Sequence, residues 1–117
     1  MLVVIYHNPR CSKSRETLQL VLSKAPEPQV VEYLKTPPTA QEIKKILGLL
    51  GMASPRELMR TKEDVYKQLK LDDPKLSEAQ LISAMVQNPV LIERPLVVVD
   101  GKRAAVGRPP ENVLHVL

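Results

Sequence analysis

The run Val3-Val4-Ile5-Tyr6-His7-Asn8-Pro9-Arg10-Cys11-Ser12-Lys13-Ser14-Arg15 constrains the fold more than any other stretch of the chain. The apolar, β-branched residues over Leu2–Tyr6 predict a fully buried strand, and His7-Asn8-Pro9 stops it. The only cysteine follows at once. Leu18, Val21 and Leu22 then recur at helical spacing towards Ser23-Lys24, with Ser12 or Ser14 placed to cap the helix. Cys11 therefore stands where a strand gives way to a helix. About four backbone N–H groups lack partners at such a point, and the helix dipole favours negative charge. Both effects favour the thiolate, the reactive form of cysteine, and Arg10, Lys13 and Arg15 add positive charge around it. A cysteine flanked by Arg10 and Lys13, just past an Asn-Pro turn, is poorly placed to be a buried hydrophobe. Cys11 reads as a nucleophile.

The remaining chain supplies a framework for that junction. Ala25-Pro26-Glu27-Pro28 breaks the first helix, and Gln29–Tyr33 gives a second strand. Strand, helix and strand in this span form a βαβ unit, so these two strands are parallel with a right-handed crossover. Pro37-Pro38 ends the second strand, and a helical stretch intervenes. Thr39-x-x-Glu42 and Ser77-x-x-Gln80 are capping boxes ahead of two apolar stripes, Ile43/Ile46/Leu47/Leu50 and Leu81/Ile82/Met85/Val86. Gly51 fits a helix C-cap, Ser54-Pro55-x-Glu57 opens a short helix, and another piece is expected from about Glu63 to Leu69. Leu96–Val99, Asp100-Gly101 and Lys102–Val106 read as an antiparallel hairpin, with Asp100 as a turn residue. Pro109-Pro110-Glu111 begins a last helix whose Val113, Leu114 and Leu117 can cover the sheet, and His115 on it reads as structural. The order is βαβ, helices, ββα.

At 117 residues the chain suits one domain, 1–117, with the helices at about 39–88 as an insertion. With no Trp or Phe and three Tyr, the core must rest on Leu, Val, Ile and Met. A single cysteine excludes an internal disulfide and an all-cysteine metal site, and no metal is expected. No apolar run approaches the roughly 20 residues that span a bilayer. The first residues lack the layout of a signal peptide, so the expected location is cytoplasmic. The formal charge of +4 raises nucleic acid as a partner, but few aromatics and no long basic run argue against it. A small anionic substrate explains a local excess of arginine more economically.

Four motifs recur in order along the chain: His7-Asn8-Pro9-x-Cys11-x-x-Ser14-Arg15-x-Thr17-Leu18, Glu57-Leu58-Met59-Arg60, Glu93-Arg94-Pro95-Leu96-Val97-Val98 and Gly107-Arg108-Pro109. Together they resemble the glutaredoxin-dependent arsenate reductase family, over the whole chain. The resemblance implies an α/β, thioredoxin/glutaredoxin-like fold with a mixed four-stranded sheet. In that family the cysteine attacks arsenate, glutathione and then glutaredoxin supply reducing equivalents, and arsenite leaves. No cofactor is bound, and glutathione is a co-substrate. The family's three anion-binding arginines map onto Arg60, Arg94 and Arg108, and its histidine near the cysteine maps onto His7. Pro95 resembles the cis-proline that this fold sets opposite its cysteine. The chain departs from well-known members at Arg10 and at Ser12-Lys13-Ser14, where Gly-Thr-Ser is common.

The residues fit that chemistry. Thiolate attack on a tetrahedral oxyanion brings two anions together, and arginine offers a permanent charge and a planar fork of donors to screen them. Arg94 and Arg108 each precede a proline, which biases their backbones towards extended conformations. His7 either stabilises the thiolate as imidazolium or bonds within the turn when neutral. Ser14 occupies the second position of a Cys-x-x-Cys and can bond the thiolate, but cannot resolve a disulfide, so a second thiol must come from outside. Two alternatives stand beside arsenate reduction: a glutathione-dependent thiol–disulfide reductase, and a non-enzymatic Spx-like regulator that binds RNA polymerase. Ser14 speaks against a self-contained redox switch. A phosphatase-like Cys-x5-Arg loop is absent, because position 17 is Thr17.

Overall fold

The computed structural model describes all residues, Met1–Leu117, and divides into two compact units. The first comprises Met1–Thr36 and Arg94–Leu117, the second Pro37–Glu93. The first unit carries strands β1 (Val3–His7), β2 (Gln29–Glu32), β3 (Leu96–Val99) and β4 (Arg103–Val106), with helix α1 at Ser12–Lys24. They form one sheet in the order β2-β1-β3-β4. β1 and β2 are parallel, as a βαβ crossover requires, and the other two pairings are antiparallel. This mixed, thioredoxin-like sheet is the one the family resemblance implies.

Register decides which side chains make the core. Val3 lies opposite Val99 and Ile5 opposite Val97. These four share a face with Val21, Ala25 and Val113, and Leu18, Leu20, Ala105, Val116 and Leu117 pack at its margin. The hairpin closes through Asp100 at φ 55° and Gly101 at φ 62°, with Lys102 N–H donating to the Val99 carbonyl at 3.0 Å. Two successive left-handed residues are the signature of a type I′ turn, whose twist matches the strands. Asp100 does more than turn the chain. Its carboxylate accepts the Leu2 N–H at 2.7 Å, which holds its pKa below the ordinary carboxylate value.

Three expectations need correction. Leu2 is exposed (64%) and stands outside the strand, so the buried run starts at Val3. The buried face of α1 is Ser14, Thr17 and Val21, while Leu22 faces solvent. Thr17 is buried at no polar cost because its Oγ1 donates to the Lys13 carbonyl at 2.7 Å. The C-terminal segment Pro110–His115 is a 3₁₀ helix. Its tighter winding buries Val113 and brings Val116 to the core, and it leaves Leu114 exposed.

In the second unit the capping signals of the sequence are met. Thr39 caps α2 (Ala40–Leu50) and Ser77 caps α4 (Glu78–Gln87), each through a reciprocal capping box. α2 buries Ile43, Ile46 and Leu47, and ends at Gly51 with φ 68°. Met52 N–H then returns to the Leu47 carbonyl at 3.0 Å. A residue with a Cβ is strained in that left-handed conformation, which is why glycine serves. Ser54 also forms a capping box, but the segment it opens, Pro55–Leu58, is a 3₁₀ turn. α3 spans Asp64–Gln68. A bridge between Met59 and Ile92, with Glu93 N–H on the Leu58 carbonyl at 2.8 Å, ties the middle of this unit to its last residues. No helix in the chain is long and apolar enough to cross a membrane.

Candidate active site

The site is built where β1 runs out. Asn8 turns the chain by accepting the Cys11 N–H on its carbonyl and the Arg10 N–H on its side chain, both at 3.0 Å. Cys11 is thereby set at the N-cap of α1, with φ −96° and ψ 123°, and its carbonyl accepts the Arg15 N–H at 3.0 Å. Neither Ser12 nor Ser14 is the cap, as the sequence had suggested. The cysteine itself holds that place, and no acidic residue stands in the first turn. The cysteine thus stands at the N-terminal, positive end of α1, a setting that favours an anion. Cys11 is half-buried, open enough to react.

Ser14 is fully buried, and its hydroxyl is engaged behind the turn. Its Oγ lies 2.6 Å from His7 Nδ1 and accepts the Asn8 N–H at 3.0 Å. Burial pushes the His7 imidazole below its ordinary pKa; Glu32 opposes this and Arg15 reinforces it. His7 is therefore the neutral partner of Ser14 at neutral pH, the second of the two roles open to it from sequence. Arg15 is anchored too, with its Nη1 donating to the Pro9 carbonyl at 3.0 Å. Lys13 shares its charge with Glu16 at 3.9 Å on the exposed helix surface, a weak pair.

Arg108 reaches the sulfur from the far end of the sheet. Its Nε donates to the Arg94 carbonyl at 2.7 Å and its Nη2 lies 3.7 Å from Cys11 Sγ. One planar fork therefore ties together the segment before Pro95 and the thiol. Both Arg94–Pro95 and Arg108–Pro109 are cis. The first is the isomer the resemblance implied, and nothing in the sequence singled out the second. Arg60 belongs to the Pro37–Glu93 unit. There its Nη2 pairs with Glu63 at 3.3 Å, and its Nη1 is buried without a hydrogen-bond partner. The structure thus brings His7, Ser14, Cys11, Arg108 and the Arg94 backbone together on one unit, with Arg60 on the other. Two residues that shape the site escaped the sequence reading. Asn112 donates from Nδ2 to the Arg108 carbonyl at 2.9 Å, and Gly107 packs against Pro95 and Thr17. The only sequence hints were the Gly-Arg-Pro motif and an asparagine four residues beyond Arg108. No group of three or more His, Cys, Asp or Glu side chains converges to hold a metal ion.

This arrangement can present a sulfur nucleophile with a guanidinium beside it to a small anion. Comparisons with known proteins point the same way. The ArsC family pattern matches residues 6–116. A relative known as uncharacterized protein YfgD of Escherichia coli is 60% identical over 98% of this chain and 96% of its own. An arsenate reductase of Neisseria meningitidis is 50% identical, over 98% of this chain and 97% of that protein. The solved structure of an arsenate reductase from Vibrio cholerae superposes with a TM-score of 0.95 at 52% identity, covering 100% of this chain and 98% of that one.

Proposed function

The chain belongs to the ArsC family, and from that premise we propose that it reduces arsenate to arsenite through a covalent adduct on Cys11, with glutathione and glutaredoxin as reductants. The observation that carries this reading is the Arg108 guanidinium held 3.7 Å from a cysteine sulfur at a helix N-terminus. A thiolate and a tetrahedral oxyanion repel each other, and this fork screens both at once. The names of the relatives at 50% and 41% identity supply the oxyanion.

In the proposed cycle the Cys11 sulfur attacks arsenic(V), an As–O bond breaks, and the oxygen leaves as water once protonated. The sulfur of glutathione then attacks the Cys11 sulfur. The S–As bond breaks, its electron pair stays on arsenic, and arsenic(III) leaves as arsenite. The two sulfurs have each given one electron and are joined as a mixed disulfide. A glutaredoxin thiol takes the glutathione off and restores the Cys11 thiol. The need for outside thiols rests on this chain's single cysteine and on Ser14, whose hydroxyl is bonded to His7. Such a cycle suits the reducing cytoplasm. Arg94 and Arg60 take the other anion-binding places by their position in the family motifs.

Alkylation of Cys11 by iodoacetamide, followed by intact mass, tests the reading. Arsenate at millimolar concentration should slow it in the wild type and much less in Arg94→Ala and Arg108→Ala. If no oxyanion protects the wild-type thiol, the reading fails and thiol–disulfide reduction takes its place.

A further inference from the structure

Gly107 lies buried immediately after β4, and its N–H donates to the Pro95 carbonyl at 2.9 Å. That bond extends the β3–β4 pairing one step beyond Leu96 and Val106. No positive φ requires glycine here, so the reason must be space. A Cβ on Gly107 would lie 2.6 Å from Thr17 Oγ1, 2.7 Å from Pro95 Cγ and 3.0 Å from Thr17 Cγ2. Neither neighbour can step aside easily. The Pro95 ring is closed, and Thr17 is a β-branched residue, fully buried on α1, with its hydroxyl fixed to the Lys13 carbonyl at 2.7 Å. The chain leaving β4 would have to back away from α1 instead. The next residue is Arg108, and Cys11 caps that same helix.

On its other side Arg108 is held by Asn112, whose Nδ2 donates to the Arg108 carbonyl at 2.9 Å. The Asn112 N–H in turn donates to the Pro109 carbonyl at 3.0 Å, in the first turn of the 3₁₀ helix. The Arg108 backbone is thus fixed before and after the residue, while its side chain must meet two partners at 2.7 and 3.7 Å. A fork that satisfies two partners tolerates little displacement. We propose that Gly107 and Asn112 are positioning residues that bracket Arg108 and hold its guanidinium on the Arg94 carbonyl and the Cys11 sulfur. The positioning stands on this geometry; only its consequence for anion binding rests on the oxyanion reading above.

The test uses the full ¹⁵N-labelled chain as wild type, Gly107→Ala, Asn112→Ala and Gly107→Ala/Thr17→Ala. The first readout is solvent exchange of the Arg108 Nε proton, assigned by its loss in Arg108→Lys. The second is the arsenate concentration that halves the rate of Cys11 alkylation. Gly107→Ala and Asn112→Ala should each speed the exchange by about tenfold and raise that concentration by a similar factor, the effect of losing one hydrogen bond. Removing Thr17 Oγ1 and Cγ2 in the double variant should recover part of both losses. Should Gly107→Ala fail to fold, Asn112→Ala and the double variant decide. If Asn112→Ala, or a folded Gly107→Ala, keeps the wild-type exchange rate, the proposal is overturned. If arsenate fails to protect the wild type while the variants still free the Nε proton, the positioning holds and the oxyanion reading falls.

Discussion

Arg108 shows how one side chain can couple two otherwise unrelated pieces of a site. Its Nε is committed to a carbonyl and its Nη2 to a sulfur. Arg108→Ala should lower oxyanion turnover by about a hundredfold, and Arg94→Ala by a similar factor, with both variants folded. Arg108→Lys should recover activity only in part, because a point charge cannot replace the fork. Steady-state kinetics alongside circular dichroism checks both. His7 gives a separate prediction. Burial lowers its pKa in the folded state, so the unfolded chain takes up the proton first as pH falls. The stability tied to neutral His7 is complete above the ordinary imidazole value, about 6.5, and is lost as pH falls through the lower folded value. Thermal unfolding from about pH 8 to about pH 5 should show that loss, and His7→Gln should flatten it. A wild-type curve that His7→Gln leaves unchanged would count against the assignment.

The elements that hold these residues owe their ends to short local signals. Thr39 and Ser77 each close a capping box, and replacing either by Ala should cost about 1 kcal/mol in urea unfolding. Gly51→Ala should cost a similar amount, about 1 kcal/mol, because φ is 68° there. None of the three should change the alkylation rate of Cys11. Caps and turns were legible in the sequence because they depend on residues three or four apart. So was the hairpin, since Asp-Gly adopts paired left-handed conformations readily. Tertiary burial was not legible. Leu22 and Leu114 read as core by spacing but face solvent, whereas Ser14 and Thr17 read as polar yet are fully buried. Backbone and imidazole partners satisfied those two hydroxyls, and spacing rules do not count such partners. Cys11 was located correctly at the junction, but its place as the cap itself depended on the Asn8 turn. The Arg108–Cys11 contact joins residues 97 apart in sequence, and only the fold brings them together.

At the scale of the whole molecule, the proposed reaction is one that this chain cannot complete alone. One cysteine can start a two-electron reduction but cannot finish it, and the buried serine three residues on offers no second sulfur. Oxidised glutathione should therefore give a single adduct of one glutathione on Cys11 by mass spectrometry. Glutaredoxin should remove it, and no internal bridge or higher adduct should appear. The proposed reaction joins the Cys11 sulfur, its arginines and an outside thiol. The direct measurement is arsenite formation from arsenate with glutathione and glutaredoxin, run beside a glutathionylated peptide as a competing substrate. Arsenite should form, and should disappear in Cys11→Ser and when glutathione is left out. Reduction of the mixed disulfide with no arsenite formed would contradict arsenate reduction by this chain.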